Sequence, residues 1–250
     1  MSDAHAAWYP HGLAIRDYWR GKEDSAITAH RSDGTTYPMP ASVFFRAPRK
    51  FPELERLAVA ECRGRVLDIG AGAGCHALAL QARGHAVTAL DISPDAVRVM
   101  RARGVEDARV ADAFAFAPRA GGRYDTLLML MNGLAIARTV PGLRRFFRHV
   151  RGWLTPGGQL LADSMDLRRD VDFRRWLRNR RPGGSKYFGE IAYRFEYGGK
   201  TGPKFPTLFI DSRTLMREAG TAGWRGQVLF HEADGSYLAR LVPESYATEA

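Results

Sequence analysis

The segment Val66-Leu67-Asp68-Ile69-Gly70-Ala71-Gly72-Ala73-Gly74 sets three alternating glycines directly after a short apolar run that carries one carboxylate. Glycine lets a backbone come within contact distance of a ligand and aim its amides at it. A strand-to-helix turn at the carboxyl edge of an α/β sheet is where doubly wound folds take their ligands. A dinucleotide fingerprint would require glycines at 70, 72 and 75, but position 75 is Cys75 and the spacing is G-x-G-x-G. Asp91 closes the next apolar run, 19 residues beyond Gly72. A carboxylate at that place can accept both hydroxyl protons of a ribose and would repel a phosphate. Asp112 closes the third run, where it can accept a hydrogen bond from an adenine amino group. The glycine loop and two carboxylates at successive strand ends together make a cradle for adenosine.

These residues need a frame, and the surrounding pattern supplies one. Val66 to Ile69 reads as a buried strand, Cys75 to Arg83 as an Ala/Leu-rich helix stopped by Gly84, and Val87 to Leu90 as the next strand. Ser93-Pro94-Asp95 opens a helix with an N-cap hydroxyl, a proline at the first helical position and a carboxylate at the positive dipole end; Gly104 closes it. Arg109 to Ala111 and Tyr124 to Met131 are further strands. Leu143, Phe146, Phe147, Val150 and Leu154 form one helical stripe, and Pro156-Gly157-Gly158 turns into a fifth strand, Gln159 to Ala162. Repeated β-α units imply a parallel sheet with helices on both faces. Arg213 to Ala222 reads as a helix, and Gln227 to His231 and Tyr237 to Val242 as a terminal hairpin around Ala233-Asp234-Gly235. Residues 1–63 and about 166–206 do not fit this rhythm. They are expected to form an N-terminal helical cap or lid and an insertion after the fifth strand of the 64–250 domain.

The glycine loop with its leading Asp68, Asp91 in Ala89-Leu90-Asp91-Ile92-Ser93, Ala111-Asp112-Ala113, Tyr124-Asp125 and Pro156-Gly157-Gly158 resemble the cofactor motifs of class I S-adenosylmethionine-dependent methyltransferases. The resemblance covers residues 64–163 and implies a Rossmann-like, doubly wound, seven-stranded α/β sheet with an antiparallel terminal hairpin. It implies S-adenosyl-L-methionine as the cofactor. Asp68, Gly70, Ala71, Gly72 and Gly74 would hold its methionine part, Asp91 the ribose, and Ile92, Asp112 and Ala113 the adenine. Met131 and Asn132 would face the sulfonium and the acceptor.

Methyl transfer from a sulfonium is an in-line displacement with a good leaving group, so positioning can supply much of the catalysis. A general base is needed only when the nucleophile arrives protonated. Asn132-Gly133-Leu134-Ala135 lacks the Pro-Pro-aromatic continuation that the family uses for nucleobase amino groups. Neither Cys62 nor Cys75 is placed as a nucleophile for cytosine, and no His/Asp cluster suggests a metal site. A small-molecule acceptor, anionic or of secondary-metabolite type, methylated at oxygen or nitrogen, is the expected substrate. Catalytic candidates are His30 as a base, Asn132 and Tyr187; Arg46 is a candidate partner for a carboxylate of cofactor or acceptor. Aromatic residues in the cap (Tyr18, Trp19, Phe44, Phe45) and the insertion (Tyr187, Tyr193) suit a lidded pocket. Asp163 and Asp166 follow the fifth strand as pocket wall or turn residues.

With 250 residues, 45% of them hydrophobic, the chain can bury one sizeable α/β core plus an appendage. Two cysteines cannot form a disulfide framework and lack zinc-ligand spacing. Met1 to Pro10 has no secretory character, and the longest apolar stretch, Leu127 to Ala137, is too short to span a membrane. A cytoplasmic protein without a membrane partner is expected, and nothing sets its oligomeric state. The net charge is +10, and twelve Arg and Lys against four Asp between Arg144 and Lys186 give that segment +8. One reading is a surface tracking RNA phosphates or attracting an anionic substrate. The favoured reading is solvated helix faces, with Trp176 and Leu177 on the apolar side of an amphipathic helix. Nucleic acid is therefore a disfavoured partner. The alternatives retained are an RNA or protein methyltransferase using the basic segment, a non-catalytic cofactor-binding module, and a dinucleotide oxidoreductase.

Overall fold

The computed structural model describes residues 3–119, 121–179 and 187–244. In chain order the elements are α1 (Asp3–Trp19), β1 (Ala26–Arg31), β2 (Thr36–Pro40), α2 (Glu53–Glu61), β3 (Val66–Ile69), α3 (Cys75–Gln81), β4 (Val87–Asp91), α4 (Pro94–Ala102), β5 (Asp107–Val110) and β6 (Tyr124–Met129). There follow α5 (Val140–Arg151), β7 (Leu154–Met165), α6 (Val171–Asn179), β8 (Glu190–Tyr197), β9 (Lys200–Thr201), β10 (Phe205–Leu208), α7 (Ser212–Thr221), β11 (Trp224–His231) and β12 (Ser236–Pro243).

The main sheet has seven strands in the order β11-β12-β7-β6-β3-β4-β5. β3 to β7 run parallel, while β12 is antiparallel to β7 and β11 to β12, the Rossmann-like arrangement with a terminal hairpin that the sequence implies. Every residue of β3 and β4 is buried, as strands covered on both faces must be. One face packs Leu127, Phe146, Phe147 and Trp224, and the other Leu54, Val66, Leu80 and Val97. Local chemistry starts the helices: Ser93 Oγ accepts from the Ala96 amide ahead of Pro94, as the sequence predicts, and Thr139 Oγ1 accepts from the Gly142 amide. Pro156-Gly157-Gly158 does not precede the fifth strand but lies within β7. The pairing of β6 with β7 shifts register between Tyr124 and Thr126, and this irregularity takes up the extra residues.

The N-terminal segment carries α1 and α2 but is not purely helical. Its hairpin β1–β2 joins β8, β9 and β10 in a second, antiparallel sheet of order β10-β8-β1-β2, with β9 paired to β8. Two segments that flank the glycine-loop unit in sequence thus share one sheet. Register places Ala29 opposite Phe195 and Arg31 opposite Tyr193, so these four side chains share a face. Both strands alternate in burial, and this face is the buried one. Arg31 ties the sheet to the segment before α6, with ion pairs to Asp33 at 2.6 Å and Asp170 at 3.0 Å, its guanidinium over the Phe173 ring. α6 buries Phe173 and half-buries Trp176 and Leu177, the amphipathic helix expected there. Arg180, Arg181 and Lys186 of the basic segment lie outside the described residues. Among the described residues no helix is long and apolar enough to cross a membrane.

Phe146 is fully buried at the centre of the α5 face. Truncation in Phe146→Ala is expected to lower unfolding stability in urea by about 3–5 kcal/mol, the usual cost of a core cavity of that size. A loss below about 1 kcal/mol would contradict the packing described.

Candidate active site

The carboxyl ends of β3, β4, β5 and β6 deliver their residues to one edge of the main sheet. β3 carries Asp68 into a loop whose Gly70, Gly72 and Gly74 have φ of 79°, 56° and 80°, the left-handed region that side chains disfavour. The loop is tied to β4: the Gly70 and Ala71 amides both donate to the Leu90 carbonyl at 2.9 Å. Asp91 completes the tie, its Oδ2 accepting from the Gly72 amide at 2.9 Å and its Oδ1 from the Ser93 amide at 2.8 Å. Asp112 Oδ1 accepts from the Phe114 amide at 2.9 Å and shapes the turn after β5.

Beyond β6 the backbone is strained. Met131 and Asn132 are consecutive non-glycine residues at φ 62° and 60°. Their turn is held by β7: Asp163 Oδ1 accepts from the Gly133 amide at 3.1 Å, and Ser164 Oγ lies 2.9 Å from Asn132 Oδ1.

These loops line a cavity of about 370 Å³. Asp68, Gly70, Ala71, Gly72, Asp91, Ile92, Asp112, Ala113, Met131 and Asn132 all contribute to it. Gly74 does not; it N-caps α3, where a Cβ would strike Val105 and Met100. Arg46 lines an adjoining pocket with Met131, Asn132 and Asp163, and its Nη2 donates to Glu55 at 2.6 and 2.9 Å. His30 sits on the face of β1 opposite Ala29 and Arg31, 3.2 Å from Thr36 Oγ1 and 3.4 Å from Glu196, away from the cavity. Tyr187 is also elsewhere: its hydroxyl donates to Asp211 Oδ2 at 2.7 Å beside the N-terminus of α7. Of the catalytic candidates, Asn132 alone reaches the cavity.

Several lining residues carried no sequence signal strong enough to single them out. His76, the second residue of α3, lies 2.9 Å from Glu55 of α2, completing a largely buried Arg46–Glu55–His76 chain. From α1 and the second sheet come Trp8, His11, Phe195 and Phe205, beside Tyr193, which the sequence does mark as a pocket aromatic. The signal that could have found His11 is the helical spacing of Ala7, His11, Ala14 and Ile15, which marks the buried face of α1.

Burial pushes Asp68, Asp91 and Asp163 each up to about 6. Burial also opposes the His76 imidazolium, but hydrogen bonds to Cys75 and Glu55 and the charge of Asp68 outweigh it and push His76 up to about 10. Asp68 Oδ2 is buried with no hydrogen-bond partner. A carboxylate oxygen so placed in a cavity wall suits a cationic ligand group, and a glycine-floored cradle with carboxylates at its strand ends suits an adenosine.

The site and fold define an adenosine-cofactor enzyme class of Rossmann-like architecture. The sequence profile of a methyltransferase domain matches residues 66–158. A solved S-adenosylmethionine-dependent methyltransferase from Bacteroides fragilis, in complex with S-adenosyl-L-homocysteine, is 38% identical, with 96% of this chain and 97% of that chain covered and a TM-score of 0.84. The CcbJ methyltransferase from Streptomyces caelestis shares the fold at 15% identity, with 80% and 93% covered and a TM-score of 0.60. A curated relative, a ubiquinone biosynthesis O-methyltransferase from Xanthomonas euvesicatoria pv. vesicatoria, is 30% identical over 107 residues, covering 41% of this chain and 43% of that protein. The chain thus spans less than half the length of this curated relative. It belongs to the S-adenosylmethionine-dependent methyltransferase family, and S-adenosylmethionine is its cofactor.

Because Asp68 and Asp91 are raised to about 6, both are ionised at pH 7.5 and protonated well below 6. Their charge is what a ligand ammonium and ribose hydroxyls would meet, so affinity is lost as pH falls through that value. Calorimetric titration with S-adenosylhomocysteine is expected to show binding weakened about tenfold or more between pH 7.5 and 5. An affinity unchanged over that range would remove both carboxylates from the binding site.

Proposed function

We propose that the protein transfers the methyl group of S-adenosylmethionine to an oxygen or nitrogen of a small-molecule acceptor by in-line displacement. The observation that carries this reading is the cover over the site: residues of α1 and the second sheet line the same cavity as the glycine loop. A partly covered cavity of this kind suits a small acceptor, whereas a polymer needs an open groove. When bound, the cofactor supplies an electrophilic methyl group on a sulfonium.

The chain's own residues bind, orient and exclude water. Asp68 would meet the cofactor ammonium, Asp91 the ribose hydroxyls, and Asp112, Ile92 and Ala113 the adenine. Arg46, anchored by Glu55, retains donors for a carboxylate. Met131 and Asn132, held in a strained turn, would border the reacting centre, with Asn132 as the polar group there. In this reading His30 and Tyr187 keep structural hydrogen bonds. Among the described residues the basic segment adds none to the cavity lining: Arg168 pairs with Asp166, Arg175 with Asp172, and Arg144 with Glu218.

Incubation with methyl-labelled S-adenosylmethionine and cell extract, split into small-molecule, RNA and protein fractions, should place the label in the first. Label in RNA or protein would overturn the acceptor class. Asp91→Ala is expected to weaken cofactor binding by about a hundredfold, the scale of a lost charge-assisted hydrogen bond, with the far-UV circular dichroism retained. Binding within about threefold of the unaltered protein would sink the ribose assignment.

A further inference from the structure

The cavity wall facing the glycine loop lies outside residues 66–158. It comprises Trp8 and His11 of α1, Tyr193 and Phe195 of β8, Phe205 of β10, and Phe209. Trp8, Phe195 and Phe205 pack on one another with ring centroids 5.1 to 5.3 Å apart. Among the described residues, α1 and the second sheet send no Asp, Glu, Lys or Arg into the cavity lining. Arg138 does line it, but is exposed and stands on the turn after β6.

His11 breaks this apolar wall. It is 5% exposed, edge-on to Trp8 at 5.2 Å and to Phe44 at 4.7 Å, and its Nδ1 is buried with no hydrogen-bond partner. Phe44 in turn packs at the glycine loop, where a Cβ on Gly72 would meet its ring at 3.4 Å. His11 therefore stands between the aromatic wall and the cofactor loop. A buried polar atom without a partner is uncommon, and one in a cavity wall points to a group that a ligand completes. Burial alone pushes His11 down to about 4, so the ring is neutral at physiological pH and offers one donor and one acceptor. The Tyr37 and Tyr193 hydroxyls, 2.9 Å apart, already satisfy each other.

Resting on the cofactor reading above, we propose that the acceptor is an uncharged, planar aromatic molecule that lies against this wall and presents one hydroxyl or amino group to His11. An anion would lose its hydration without gaining a cation from the wall. A sugar would bring several hydroxyls to a surface with few free polar groups. A flat ring fits both the aromatic faces and the single polar contact.

The test uses the full chain saturated with S-adenosylhomocysteine and titrated calorimetrically with 2-naphthol, 2-naphthoate and glucosamine. 2-Naphthol should bind about tenfold or more tightly than either of the others. In His11→Phe its affinity should fall about tenfold, the scale of one hydrogen bond to a buried group, with S-adenosylhomocysteine affinity within about twofold of the unaltered protein. Naphthoate or glucosamine binding as well as naphthol would overturn the proposal, as would undiminished naphthol binding by His11→Phe or no naphthol binding at all. The ranking on the unaltered protein stands whether or not the variant folds. Failure to take up S-adenosylhomocysteine would bring down the cofactor reading and this one with it, whereas normal uptake with the wrong ranking would refute the acceptor class alone.

Discussion

The Asp91 carboxylate holds the site together. It is buried at the end of β4, and its two oxygens accept from the Gly72 and Ser93 amides. Those bonds fix the glycine loop relative to the start of α4. Burial still pushes the group up to about 6, so the two amides offset only part of the lost hydration. A ligand that brought further donors to the same oxygens would therefore bind and relieve the same strain. The loop depends on the carboxylate for its shape, and the carboxylate depends on a ligand for full solvation.

The opposite half of the cavity depends on a different constraint. The second sheet exists only because β1 and β2, before the glycine loop, pair with β8 to β10, after the fifth parallel strand. Neither segment has enough apolar surface to stand alone, and together they bury Ile27, Ile191, Tyr193 and Phe195 against α1. Arg31 fastens the arrangement through Asp33 and Asp170. Closure of the site is thus a property of tertiary pairing, whereas the cofactor side is a property of one contiguous stretch.

That difference explains what the sequence made legible. Asp68, Gly72, Asp91 and Asp112 could be placed because each sits at a strand end set by local periodicity, and the sheet edge then collects them. The fold of residues 64–163 and the terminal hairpin follow for the same reason. His30 and His11 show the limit. Both lie in the N-terminal segment, but the alternation of β1 turns His30 to the face opposite Phe195, while the helical spacing of α1 turns His11 into the cavity. Choosing between them requires knowing that β8, more than 150 residues away, supplies the wall. The Pro156-Gly157-Gly158 turn was misplaced for a related reason, since a bulge is visible only against its partner strand.

Charge is sorted by depth, which bears on what the cavity can hold. The arginines of the basic segment that are described stand on outer helix and turn surfaces, several paired with neighbouring carboxylates. Asp68 and Asp91 are buried at the sheet edge in the cavity wall itself, and half-buried Asp163 lines the adjoining pocket. Exposed arginines are screened by water and salt within about 8–10 Å, whereas the buried carboxylates are screened much less. The local field at the cavity is therefore set by the carboxylates and by the His76–Glu55 pair, despite a net charge of +10. A cationic sulfonium and ammonium are favoured on that side. On the other side, aromatic rings and a neutral imidazole offer no counter-charge, so the two halves of the cavity select for different ligand chemistry.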